Sequence, residues 1–229
     1  MITRSALALA LALVFFLPGS ALAGQAQRMI LALGNTGFIN AGSLQGALGA
    51  EIVTDLGKSK VKDISVIVLA NIAYGSLPGP VQQELEAYVN EGGTLLLTGG
   101  SQAFGSGGYQ AVSSLVPFVI RGSGDWRSFP FKPPVPIQPG HPVLAGVTFQ
   151  SVGNLNDMNP RPGAGEILRS SGGQGSYPSP LVAEMSSGVG RVVGIAFDLN
   201  EFSAMQDRDL FVRNALAYLL TASRITPSR

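Results

Sequence analysis

Residues 88–109 read YVNEGGTLLLTGGSQAFGSGGY, from Tyr88 to Tyr109. The stretch sets a helix end, a buried strand and a glycine-rich turn in immediate succession. Val89 closes an apolar helical face, and Gly92 and Gly93 supply a left-handed stop that residues with a Cβ adopt only at a steric cost. Thr94 to Thr98 form a short apolar run of strand length, bounded on both sides by glycines. The run ends at Gly99-Gly100. In an α/β protein this is the turn that carries the chain over the carboxyl edge of the sheet, the place where such folds keep ligands and where enzymes among them keep a nucleophile.

The same alternation continues on either side. Arg28 to Gly34 (RMILALG) reads as a first strand and Asn35-Thr36-Gly37 as a turn into a helix around Ser43 to Leu48. A strand follows near Glu51 to Thr54, then a turn bearing Lys58, Lys60 and Lys62. Ile64 to Ala70 (ISVIVLA) is continuously apolar, the mark of a strand covered on both faces. Pro78 and Pro80 introduce a helix over Val81 to Asn90, in which Val81, Leu85 and Tyr88 or Val89 recur at helical spacing. Strand, helix and strand at these distances predict a parallel βαβ unit. Later strands are expected at Glu166 to Arg169, Leu181 to Glu184 and Arg191 to Phe197. A closing helix runs from about Asp207 to Thr221, burying Leu210, Ala217 and Leu220.

The N-terminus assigns a compartment. Met1 to Arg4 carries one positive charge, and Ala6 to Leu17 is an unbroken apolar stretch too short to span a bilayer comfortably. Pro18-Gly19 then precedes the small-residue site Ala21-Leu22-Ala23. Residues 1–23 therefore read as a signal peptide cleaved after Ala23, and 24–229 as a single domain, periplasmic or secreted; an uncleaved N-terminal anchor is the alternative reading. No apolar run of spanning length follows. Loss of Arg4 with the leader leaves 14 basic residues against 14 acidic ones, without a charge block, which argues against nucleic acid as a partner. With no cysteine in the chain, neither disulfides nor thiol chemistry is available.

Several pieces of the chain, in order, resemble the class I glutamine amidotransferase-like domain family. Beside Tyr88 to Tyr109 there is Ser114-Leu115-Val116-Pro117, similar to its leucine-proline segment. His141-Pro142-Val143-Leu144-Ala145-Gly146-Val147 resembles its "HP...G" element, and Gly188-Val189-Gly190-Arg191-Val192-Val193 its "GxGRV" strand entrance. The resemblance implies an α/β fold of flavodoxin-like type, a three-layer sandwich with a mainly parallel sheet. It does not imply amidotransferase turnover, because attack on the glutamine amide needs the catalytic cysteine that this chain lacks.

Serine is the substitute to weigh. Ser101 follows the Thr94 to Thr98 strand with Gly99 and Ala103 two residues to either side, the small neighbours a nucleophile elbow requires. His141, the one histidine, is the only candidate base. An exported serine hydrolase using Ser101 and His141 is thus one reading, and a turn merely lined by Ser101 is the other. The glycine spacing fits neither a dinucleotide fingerprint nor a P-loop, and with one histidine and scattered acids no metal site or cofactor is expected. Asp198-Glu201 and Asp207-Asp209 read as caps for the last helix.

The favoured reading is a non-catalytic binding or interaction module with a crevice formed by Gly99, Gly100, Ser101, Phe104, Gly107, Gly108, Tyr109 and Trp126. Its occupant would be an unknown protein or small-molecule ligand of the cell envelope. Trp126 belongs to a proline-rich, aromatic excursion, residues 124–140, which also holds Phe129 and Phe131. Proline excludes that segment from a helix or a central strand. It reads either as a surface excursion packing its aromatics back on the domain or as a stiff platform for a ligand.

Overall fold

The computed structural model describes residues 27–104, 108–120, 125–128, 133–149, 153–171, 178–201 and 207–225. Residues 1–26, Gly107, Phe129 and Phe131 lie outside them. Along the chain come β1 (Arg28–Gly34), α1 (Ala41–Leu48), β2 (Ala50–Val53), β3 (Val66–Ala70), α2 (Gly79–Asn90) and β4 (Thr94–Thr98). Short strands follow: β5 (Phe118–Ile120), β6 (Trp126–Ser128), β7 (Val135–Pro136), β8 (Asn154–Asn156) and β9 (Met158–Pro160). The remainder is β10 (Gly165–Arg169), β11 (Pro180–Ser187), β12 (Gly190–Ile195) and α3 (Arg208–Ala222).

Eight strands form one sheet in the order β2-β1-β3-β4-β12-β11-β10-β7. From β2 to β12 neighbours are parallel, with Ala70, Thr98 and Ile195 level at the carboxyl ends of β3, β4 and β12. From β12 outward every pairing is antiparallel. β5 with β9 and β6 with β8 make two separate antiparallel pairs.

This mixed sheet corrects the expectation of a flavodoxin-like three-layer sandwich with a mainly parallel sheet. β11 and β12 are joined through Gly188 and Val189, and so short a connection can only reverse the chain. A parallel neighbour needs a crossover, usually helical, and among the described residues no α-helix lies between β4 and α3. The fold is α/β with a parallel half and an antiparallel half.

In the parallel half the apolar runs do what their composition requires. β3 and β4 are buried along their whole lengths, because each has core on both faces. On one face Val66, Val68, Leu96 and Val193 meet Phe211, Leu216 and Leu219 of α3. On the other, Ile67, Leu69, Leu95 and Leu97 meet Val81, Leu85 and Val89 of α2. Leu85 is fully buried, and its transfer from water contributes about 2 kcal/mol.

The stop of α2 explains the Tyr88-Val89…Gly92-Gly93 pattern. Gly92 is left-handed (φ 113°) and returns its N–H to Val89. The Tyr88 hydroxyl then grips Thr94 on both sides, accepting from its N–H at 3.1 Å and donating to its carbonyl at 3.0 Å. A Cβ on Gly93 would lie 2.3 Å from the Tyr88 ring, so the second glycine makes room for the tyrosine.

The 124–140 excursion contributes two strands. Trp126 begins β6, and Val135–Pro136 forms β7 at the outer edge of the large sheet, where a missing N–H leaves no central ladder bond unmade.

Candidate functional site

The carboxyl ends of the parallel strands release the chain into a polar belt. Asn71, immediately after β3, holds a left-handed backbone (φ 42°), a conformation asparagine tolerates better than most residues. Its carboxamide faces two ways. Nδ2 donates to Asp198 Oδ2 at 2.8 Å, and Oδ1 accepts from the Gln102 N–H at 2.8 Å.

Asp198, 3% exposed, is held on its other oxygen too. Oδ1 accepts from the Asn200 N–H at 2.8 Å and from Asn200 Nδ2 at 3.0 Å. Asn200 Nδ2 also reaches the Asn35 carbonyl at 2.7 Å, just past β1. One chain of contacts thus runs from the end of β1 through β12 and β3 to the turn after β4. The carboxylate is buried with each oxygen accepting from amide donors, the condition under which burial of a charge is tolerated.

Asn156 closes the opposite flank. Its Oδ1 accepts from the Gly100 N–H at 2.9 Å, while Nδ2 donates to the Gly100 carbonyl at 3.3 Å and to Asp125 Oδ2 at 3.2 Å. Trp126, half-buried, is placed beside it, because Trp126 pairs with Asn156 across β6 and β8. Gly100 is therefore clasped between Asn156 and Asn71. With φ at 137° and an added Cβ only 2.2 Å from the Asn71 carboxamide carbon, only glycine fits there.

Below this belt the loop is anchored by aromatics. Phe104 has φ 29° and is fully buried, edge-on to Tyr109 at 5.0 Å and to Phe118 at 5.5 Å. The Tyr109 hydroxyl donates to the Leu69 carbonyl at 2.9 Å, with the Thr98 carbonyl 3.3 Å away, and its burial pushes the phenol pKa upward. Gly108 approaches the chain closely, since a Cβ there would lie 2.4 Å from the Gln102 carbonyl oxygen. Asn71 and Phe104 are the non-glycine residues with positive φ among the described residues, and both stand at this edge. Strain of this kind persists where the surroundings over-determine it.

Ser101 and His141 are not brought together. Ser101 is exposed on the turn beyond the carboxyl end of β4. His141 packs on the α3 face near the amino end of the sheet, where its Nδ1 accepts from the Val143 N–H at 3.2 Å. The proton therefore sits on Nε2, 3.6 Å from Glu184 Oε1. Glu184 Oε2 in turn accepts from Tyr218 at 2.6 Å and from Arg191 Nη1 at 2.9 Å, and the His141 ring lies edge-on to Tyr218 at 4.8 Å. Arg191 is level with Thr94, the first residue of β4, so about 13 Å of strand separates this cluster from the Ser101 turn. Burial lowers the His141 pKa, opposed by the Glu184 carboxylate; burial and Glu184 raise that of Tyr218 to about 12.

Of the residues singled out in the sequence, Gly99, Gly100, Ser101 and Phe104 follow β4 directly, Gly108 and Tyr109 pack back on them, Trp126 joins them through Asn156, and Gly107 lies outside the described residues. Asn71, Asp125, Asn156, Asp198 and Asn200 were not singled out for the site. Asn71 and Asp198 had a signal, since each is a polar residue just past a buried apolar strand. Asp198 does not cap α3; Asp207 occupies the N-cap position and accepts from the Thr148 N–H at 3.0 Å. Among the described residues no cluster of His, Cys, Asp and Glu is arranged to hold a metal ion, and no helix is long and apolar enough to cross a membrane.

No protein-family model matches the chain, and no curated protein matches it in sequence. Solved structures do resemble it. A cytoplasmic protein of Salmonella typhimurium LT2 superposes with a TM-score of 0.65 at 17% identity, over 86% of this chain and 100% of the other. A second cytoplasmic protein of Salmonella typhimurium gives 0.64 at 14% identity, over 84% and 98%. A ThuA-like protein of Bacteroides uniformis gives 0.59 at 15% identity, over 91% and 97%. At these identities the likeness is one of fold alone.

Proposed function

We propose that this chain is an exported glutamine amidotransferase-like domain without the catalytic cysteine, working as a binding or interaction module through the carboxyl edge of its parallel strands. The observation that carries the reading is the Asn71 bridge between Asp198 and the Gln102 N–H. It fixes the turn after β4 in one shape, and a site whose polar groups are held before the ligand arrives binds with less ordering entropy. Export rests on the leader reading of residues 1–23, with cleavage after Ala23 and a periplasmic or secreted product. The occupant is a protein or a small molecule of the cell envelope.

Catalysis has little to work with here. No thiol exists in the chain, and both nitrogens of the one histidine are engaged away from Ser101. The test has two parts. Fractionation should find the protein outside the cytoplasm, shortened at Ala23. Incubation of that product with glutamine should release no ammonia above a blank. Ammonia release abolished by Ser101→Ala would replace the binding reading with an enzymatic one.

A further inference from the structure

At the opposite, amino edge of the sheet, a hollow of about 470 Å³ opens between the β11–β12 hairpin and the end of α3. Ser186, Val189, Arg191, Thr221, Ser223 and Arg224 line it, and among the described residues no acidic side chain does. Arg191 is immobilised before any ligand arrives. Its Nη1 donates to Glu184, and its guanidinium lies 5.1 Å from the centre of the Tyr218 ring. Arg224 is different. Its backbone N–H is tied to the Gly92 carbonyl at 2.9 Å, but among the described residues its guanidinium has no ion pair and no hydrogen bond. Nor is it spent on the negative end of α3, because Arg28 already donates to the Leu220 carbonyl there at 2.8 Å. Ser223 Oγ accepts from the Ile225 N–H and keeps its own proton to give, whereas the Thr221 hydroxyl is turned to Ala217.

We infer that this hollow is an oxyanion-binding site, separate from the carboxyl-edge crevice, for a small polar molecule carrying a phosphate or carboxylate group. With Arg191 balanced by Glu184, the Arg224 guanidinium is the charge left over, and its planar fork matches two oxygens of such a group. The hydroxyls of Ser186 and Ser223 add neutral donors. The hollow is larger than a bare oxyanion and its walls are mostly polar, so the anion rides on a polar body.

The experiment is a titration of isotope-labelled protein with inorganic phosphate in one arm and succinate in the other, at constant ionic strength set by chloride. Saturable amide shifts are expected at residues 186–191 and 221–224. Arg224→Gln should weaken the binding by about tenfold or more, the loss expected for a charged hydrogen-bonding partner, with an unchanged urea midpoint. Arg224→Lys should fall between. Saturation by phosphate alone assigns a phosphate ester, and saturation by succinate alone a carboxylate. If neither anion saturates, or if Arg224→Gln binds as tightly as the parent, the site does not exist.

Discussion

Asn71 Nδ2 donates to Asp198 Oδ2 at 2.8 Å, tying the residue after β3 to a carboxylate beyond β12, across the intervening β4. Removing the amide leaves Asp198 with Asn200 as its remaining donor and releases the Gln102 N–H. Asn71→Ala is expected to lower stability by about 1–3 kcal/mol, the range for a buried charged group losing a partner. Asn71→Gly loses the same bonds but accepts the positive φ without strain, and its loss of stability should be smaller than the alanine variant's by several tenths of a kcal/mol or more. Urea unfolding of both variants measures the difference. Equal stability of all three proteins would mean that the bridge contributes nothing.

Gly100 is the narrowest point of the same edge. An alanine Cβ would meet the Asn71 carboxamide at 2.2 Å on a backbone at φ 137°. Gly100→Ala should therefore lower the melting temperature, at a loss of roughly 1–3 kcal/mol. It should also displace the Asn71 side chain, visible as shifts of its carboxamide protons. An unshifted Asn71 would show that the loop yields instead of the side chain.

The parallel half of the sheet was legible because its signals are local. The apolar runs at Ile64 to Ala70 and Thr94 to Thr98 each announce a buried strand, and Val89 with Gly92-Gly93 announces how the helix between them ends. The antiparallel half was not read because strand direction depends on what joins the strands. The Gly188-Val189 hairpin, short enough to settle it, resembled a strand entrance and was read as one. At the site, the glycines after β4 were visible as glycines. Their partners were less so. Asn156 reaches Gly100 only through β6 and β8, three-residue strands (WRS and NLN) with too little apolar periodicity to predict a pair.

His141 makes stability depend on pH with a definite sign. Its folded pKa lies below the ordinary 6.5, chiefly through burial, so the unfolded chain binds the proton more readily. Its contribution is intact above pH 6.5 and is lost as the pH falls through that value toward the folded pKa. Protonation would also place a hydrogen on Nδ1, which now accepts from the Val143 N–H. Urea midpoints should decline between pH 7.5 and pH 5, and His141→Asn should flatten the decline relative to the parent. A parent midpoint that rises on acidification would contradict the assignment of the neutral ring.

Ser101→Ala separates binding from catalysis at the turn itself. Ser101 is exposed, outside the Asn71–Asp198–Asn200 belt and remote from His141, so loss of its hydroxyl should change the urea midpoint by no more than about 0.5 kcal/mol, as for an ordinary surface substitution. Chemical cross-linking in cells that express the protein natively, followed by its recovery, should give the same products for Ser101→Ala as for the parent. Gly100→Ala should lose them, because it deforms the turn that the partner would contact. The comparison is informative because each variant controls for the other. Products lost from Ser101→Ala with the fold intact would place the serine hydroxyl in contact with the occupant, and products kept by Gly100→Ala despite a displaced Asn71 would move the binding surface away from this edge.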